Sequence, residues 1–169
     1  MFALIDLITV FGRKAVCIIQ MIAPVATRVL MGQMLYFSGH GKLHNLPETV
    51  KAFVGFGVPF PELIAPLTAT IEMVGGLAIF FGLGTRIAAL MLIGILIGAL
   101  TTAHAGQMAH AWRIWDSSDD VPLLNDIAAF PPLVFMLWLF VSGPGWLSLD
   151  TLIARKWASL RRADAATTA

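Results

Sequence analysis

The chain has 169 residues, of which 58% are hydrophobic and only 12% charged, and its formal net charge is +1. Soluble domains are usually about 45 to 50% apolar, so this composition indicates a membrane protein; the near-neutral balance gives no reason to propose nucleic acid as a partner. Room remains for about four spans of roughly 20 residues each and for no appended soluble domain. Cys17 is the only cysteine, which rules out an internal disulfide, a CxxC redox pair or a cysteine-ligated cluster within one chain.

In chain order, the opening segment 1–14 is apolar before its first cations, Arg13 and Lys14. That order is the reverse of a signal peptide and predicts an interfacial helix. The four-span membrane domain follows over 15–150, and a basic tail closes the chain over 151–169. The spans are predicted at Ala15 to Phe37, Pro61 to Phe81, Ile87 to Ala103 and about Leu123 to Val141. All are expected to be helices, because a helix satisfies its backbone internally where lipid offers no partners. Pro131 and Pro132 are expected to interrupt the fourth near its start. Gly94, Gly98 and Thr102 form a small-residue face on the third, suited to close packing or self-association.

Seven cations (Arg13, Lys14, Arg86, Arg155, Lys156, Arg161 and Arg162) fall on one side of these spans and three (Lys42, Lys51 and Arg113) on the other. The positive-inside rule then predicts an all-α, polytopic four-transmembrane-helix bundle with both termini cytoplasmic, multi-pass in the inner membrane.

Two charges interrupt the spans: Arg28 in the first and Glu72 in the second. A central Arg or Asp costs roughly 2.5 to 3.5 kcal/mol on insertion scales, so an ionisable residue at that depth is a functional-site hypothesis with its partner to be named. Counting from the predicted span ends puts the two at similar depth and predicts that they meet. Such a pair is either a buried ion pair that sets helix register or the wall of a polar pocket. In the pocket reading Glu72 exchanges protons while Arg28 holds an anion or a carbonyl, the properties that quinone chemistry needs. Tyr36, the chain's only tyrosine, shares the helical face of Arg28.

The histidines His40, His44, His104 and His110 all fall in the outer loops or at the span ends leading into them. They are candidates for haem, copper or zinc, or for a proton relay, although no metal signature accompanies them and the default is surface histidine. Lys42 at the outer mouth of the first span either binds an anionic substrate or reaches for headgroups. Asp126 either pairs with Lys42 or His104 or caps a helix.

Several stretches together resemble the DoxX family of small four-helix membrane proteins: Phe37-Ser38-Gly39-His40-Gly41-Lys42-Leu43, Gly57-Val58-Pro59, Glu72-Met73-Val74-Gly75-Gly76, Gly82-Leu83-Gly84-Thr85-Arg86 and Gly143-Pro144-Gly145-Trp146-Leu147-Ser148-Leu149-Asp150. The resemblance implies a membrane subunit linked to redox or metal-handling systems, including thiosulfate:quinone oxidoreductases. The expectation is a quinone-linked oxidoreductase subunit that passes electrons from a periplasmic donor, such as a sulfur compound, to the quinone pool. Glu72 and Arg28 would be catalytic, with Tyr36, Lys42, His40, His104 and Asp126 around the quinone. A soluble or membrane redox partner, or a bound cofactor, would supply the electron carrier. The alternatives are a non-enzymatic membrane anchor for a soluble redox or copper-peptide system, and a small metal or anion carrier.

Overall fold

The computed structural model describes the backbone of residues 2–111 and 127–167. Within them the chain is all-helical: α1 (Phe2–His44), α2 (Leu46–Gly55), α3 (Pro61–Phe81), α4 (Thr85–Thr101), α5 (Ala105–Ala111), α6 (Phe130–Ser142) and α7 (Leu149–Thr167). Asp126, the tryptophans Trp112 and Trp115, Arg113 and the acidic run Asp116 to Asp120 lie outside the described residues, as do the first residues of the predicted fourth span.

The boundaries follow from local chemistry. Proline at the first turn starts α3, and Gly82 ends it with φ of 70°, the left-handed conformation a C-terminal cap requires. Pro131 and Pro132 occupy the first turn of α6, where the missing amide hydrogens cost nothing. They begin that helix and do not interrupt it, contrary to the sequence expectation. Residues 2–14 are continuous with the first predicted span in one 43-residue helix.

α1 lies along α3, α3 against α4, α4 against α6, and α6 returns to α1. Leu35, Ile79, Leu92, Leu96, Met136 and Leu139 from these four helices fill the space between them. Yet the outer faces are apolar as well, with Leu63, Leu67, Val74, Phe81, Ile87, Leu90 and Val141 all exposed. Helices that are hydrophobic all round suit a lipid solvent. Among the described residues α3 is the helix long and apolar enough to cross a bilayer by length and composition, while α4 and α6 are shorter.

The contact between α1 and α3 is set by glycine. A Cβ on Gly32 would fall 2.7 Å from the backbone nitrogen of Phe80, one on Gly76 2.5 Å from that of Tyr36, and one on Gly39 against the backbone of Met73. These small residues let the two backbones touch, and they lock an antiparallel register in which Gly32 opposes Gly76 and Gly39 opposes Ala69 and Met73.

Candidate functional site

That register separates the two charges expected to meet. Arg28 lies beside Gly82 at the end of α3, and Glu72 is ten residues earlier in α3, about 15 Å along the helix at 1.5 Å per residue. The predicted first span ends at Phe37, before Ser38 to Lys42. In the structure those residues continue α1 alongside α3, so the facing stretch is shifted toward Lys42 and Arg28 moves to its opposite end.

Glu72 is paired instead with Lys42. Both carboxylate oxygens accept from Lys42 Nζ at 2.6 Å, and Oε2 also accepts from Ser38 Oγ at 3.0 Å. Ser38 and Lys42 are one turn apart on α1 and so present donors on one flank. The Glu72 side chain is only 6% exposed, whereas Lys42 is 34% exposed; Lys42 therefore keeps donor capacity toward open space. Ser38 went unrecognised in the sequence, though its place four residues before Lys42 inside the glycine-spaced motif is the signal that marks it.

The open space is a cavity of about 590 Å³ between α2, α3 and α4, ending on Lys42 and Glu72. Phe53, Phe56, Val58 and Ile64 form one wall, Met91 and Ile95 the other, and Thr68, Thr102 and His104 add polar groups. Gly94 and Gly98 line it with open space over their α-carbons, so among the described residues no other helix of the chain packs on this face. His104 Nδ1 and Gln107 Oε1 are 2.7 Å apart, within hydrogen-bonding distance. A second groove of about 360 Å³, along Val74, Ala78, Ile87 and Met91, contains no ionisable side chain.

The remaining candidates stand elsewhere. Tyr36, His40 and His44 form a ladder along α1, with ring centroids 6.0 Å apart for the first pair and 6.2 Å for the stacked histidines. None of the three lines the cavity, and His40 is about 200° of helical turn from Lys42. No three His, Cys, Asp or Glu side chains converge among the described residues; His110 lies in α5, with its side chain outside the described set.

Arg28 is 2% exposed and donates through Nη2 to the carbonyl oxygen of Leu147. Its Nε and Nη1 have no hydrogen-bond partner among the described residues. The same loop is tied to the α3–α4 turn. Asp150 accepts from the amides of Gly84 and Thr85 at 2.7 and 3.1 Å, and its own amide donates to Gly82 at 3.0 Å. Asp150 thus caps α4 from another part of the chain. Together these bonds clasp this end of the helices.

A family model described as DoxX matches residues 23–105. The uncharacterized membrane protein Rv3486 of Mycobacterium tuberculosis is 32% identical over 148 residues, covering 78% of this chain and 82% of its own. The chain belongs to the DoxX family. As a DoxX protein it is a membrane protein, consistent with its similarity to the inner membrane protein YqjF of Escherichia coli, 28% identical over 139 residues that cover 80% of this chain and 95% of YqjF. "Putative oxidoreductase CatD" of Bacillus subtilis is 35% identical over 81 residues, 48% of this chain, and the match spans 59% of CatD. No solved structure matches the chain. The DoxX match contains the whole Ser38–Lys42–Glu72 constellation and the cavity lining through His104.

Proposed function

We propose that this DoxX protein is the membrane subunit of a quinone-linked oxidoreductase, and that the quinone head group occupies the cavity ending on Lys42 and Glu72. The observation that carries this reading is an apolar, partly aromatic cavity closed by an ion pair without net charge. Apolar walls with a few convergent polar groups are the usual form of a small-molecule site. A neutral pair favours a neutral ligand with acceptor oxygens over a free anion or a metal ion, which argues against the carrier alternative. Lys42 donates to a carbonyl oxygen, and Glu72 is placed to exchange a proton with it. His104, along the same cavity, provides a route outward.

Reduction of a quinone to a quinol takes two electrons and two protons. The electrons come from a periplasmic donor, such as a sulfur compound, through a redox partner that carries them. In the proposed topology α1, α3, α4 and α6 all cross the inner membrane and both termini are cytoplasmic, as the seven-to-three division of cations supports. The cavity then faces the outer half, and the Arg28 clasp the cytoplasmic half.

The test is binding of a short-chain quinone to the purified protein in nanodiscs, followed by turnover with a sulfur donor in its native membranes. Saturable binding is expected, lost in Gly98→Leu, which fills the cavity, and weakened in Lys42→Met. No binding by the wild-type protein overturns the proposal and leaves the anchor role.

A further inference from the structure

The C-terminal helix α7 carries chemistry that the cavity does not use. Its sequence places Leu149, Ile153, Trp157 and Leu160 within about 80° of one another around the helix. Each is 40 to 60% exposed, and among the described residues no other helix packs along α7. Arg155 projects from the opposite side, about 200° of turn from Ile153. Lys156 and Arg161 flank the apolar stripe, and the Arg161 guanidinium sits 5.4 Å above the Trp157 ring.

The helix is anchored at a definite height. Its first turn is bonded to the end of α3 and the start of α4 through Asp150, where two apolar helices terminate together. Over Leu149–Thr167 the sequence has four cations (Arg155, Lys156, Arg161 and Arg162) against Asp150 and Asp164, and Asp150 is committed to capping α4. An apolar stripe bordered by cations, beginning where membrane helices end, has the form of a helix lying in the interface.

We infer that α7 lies in the headgroup layer of the membrane, its Leu149–Ile153–Trp157–Leu160 stripe among the acyl chains and its cations against anionic lipid. Juxtamembrane Lys and Arg are attracted to anionic headgroups, and tryptophan favours the boundary between apolar and polar layers. Pairing of this stripe with a second copy is disfavoured, because Lys156 and Arg161 would be brought against their own like charges. The inference rests on the chain being a membrane protein and is independent of the quinone reading.

The test uses the full chain in a Cys17→Ala background, spin-labelled at Ile153→Cys or Arg155→Cys, reconstituted in phosphatidylglycerol or in phosphatidylcholine vesicles. Neither Ile153 nor Arg155 lines the cavity. Power-saturation measurements should find the label at 153 reached preferentially by oxygen and the label at 155 by an aqueous nickel chelate, with 153 deeper in phosphatidylglycerol. Equal nickel access at both positions, or equal depth in the two lipids, overturns the inference. Spin–spin broadening between copies at 153 also overturns it, in favour of a second copy as the occupant.

Discussion

Lys42 Nζ bonds both carboxylate oxygens of Glu72 at 2.6 Å, while Arg28, fourteen residues earlier on α1 and about 21 Å away along it, is bonded to the carbonyl of Leu147. The two intrahelical cations therefore serve opposite ends of the α1–α3 pair. One closes a cavity against a carboxylate, and the other holds a loop.

The Lys42–Glu72 pair should be asymmetric under mutation. Lys42→Met leaves a carboxylate that is 6% exposed with only Ser38 for company. The cost should be on the order of 2 to 3 kcal/mol, below the roughly 3 to 5 of a fully buried broken pair, because Lys42 itself is 34% exposed. Glu72→Gln should cost less, since the flexible lysine can turn to water. The double variant should be more stable than Lys42→Met alone. Thermal unfolding of the four proteins checks this, and additive losses would show that the two side chains do not interact.

Glycine substitutions should divide in two classes. Gly39→Ala and Gly76→Ala drive a methyl into the facing backbone and should cost about 1 to 3 kcal/mol or more, because backbone cannot be repacked. Gly94→Ala and Gly98→Ala meet open space and should leave unfolding temperature nearly unchanged. Equal losses in both classes would contradict the register described above.

Much of this fold was legible because proline and glycine punctuate it: α3 begins at Pro61 and ends before Gly82 as the sequence predicts. The site was half legible. Glu72 and Lys42 were both singled out, but depth counted from apolar run lengths paired Glu72 with Arg28. Run length fails here because Ser38 and Lys42 are polar residues turned to Glu72 of α3 and not to water. The glycines Gly32, Gly39 and Gly76 held the missing information, since close approach fixes which residues face one another. The role of Asp150 depends on residues more than sixty positions away, a distance over which local pattern carries no signal.

Removing the cap should loosen the clasp. Asp150→Ala deprives the Gly84 and Thr85 amides of their acceptor and should cost about 0.5 to 2 kcal/mol, the range for lost helix caps. Asp150→Asn keeps one acceptor oxygen and should retain part of that. Faster amide exchange at Gly84 and Thr85 is the local readout, and unchanged exchange in Asp150→Ala would show that the cap is dispensable.

Arg28 supplies the sharpest separation of structure from chemistry. Its guanidinium is buried against Gly82 and Ser148 and bonded to Leu147, remote from the cavity lining. Arg28→Met keeps an apolar stem of similar length and leaves the Leu147 carbonyl without its donor. It should lower unfolding temperature while quinone affinity of the folded protein stays at the wild-type value. Arg28→Lys, which retains charge but not the planar fork, should fall between the two in stability. Lys42→Met should show a loss of affinity that exceeds any effect of Arg28→Met. If Arg28→Met abolishes quinone binding with its unfolding temperature unchanged, the assignment of the two cations to separate ends is wrong.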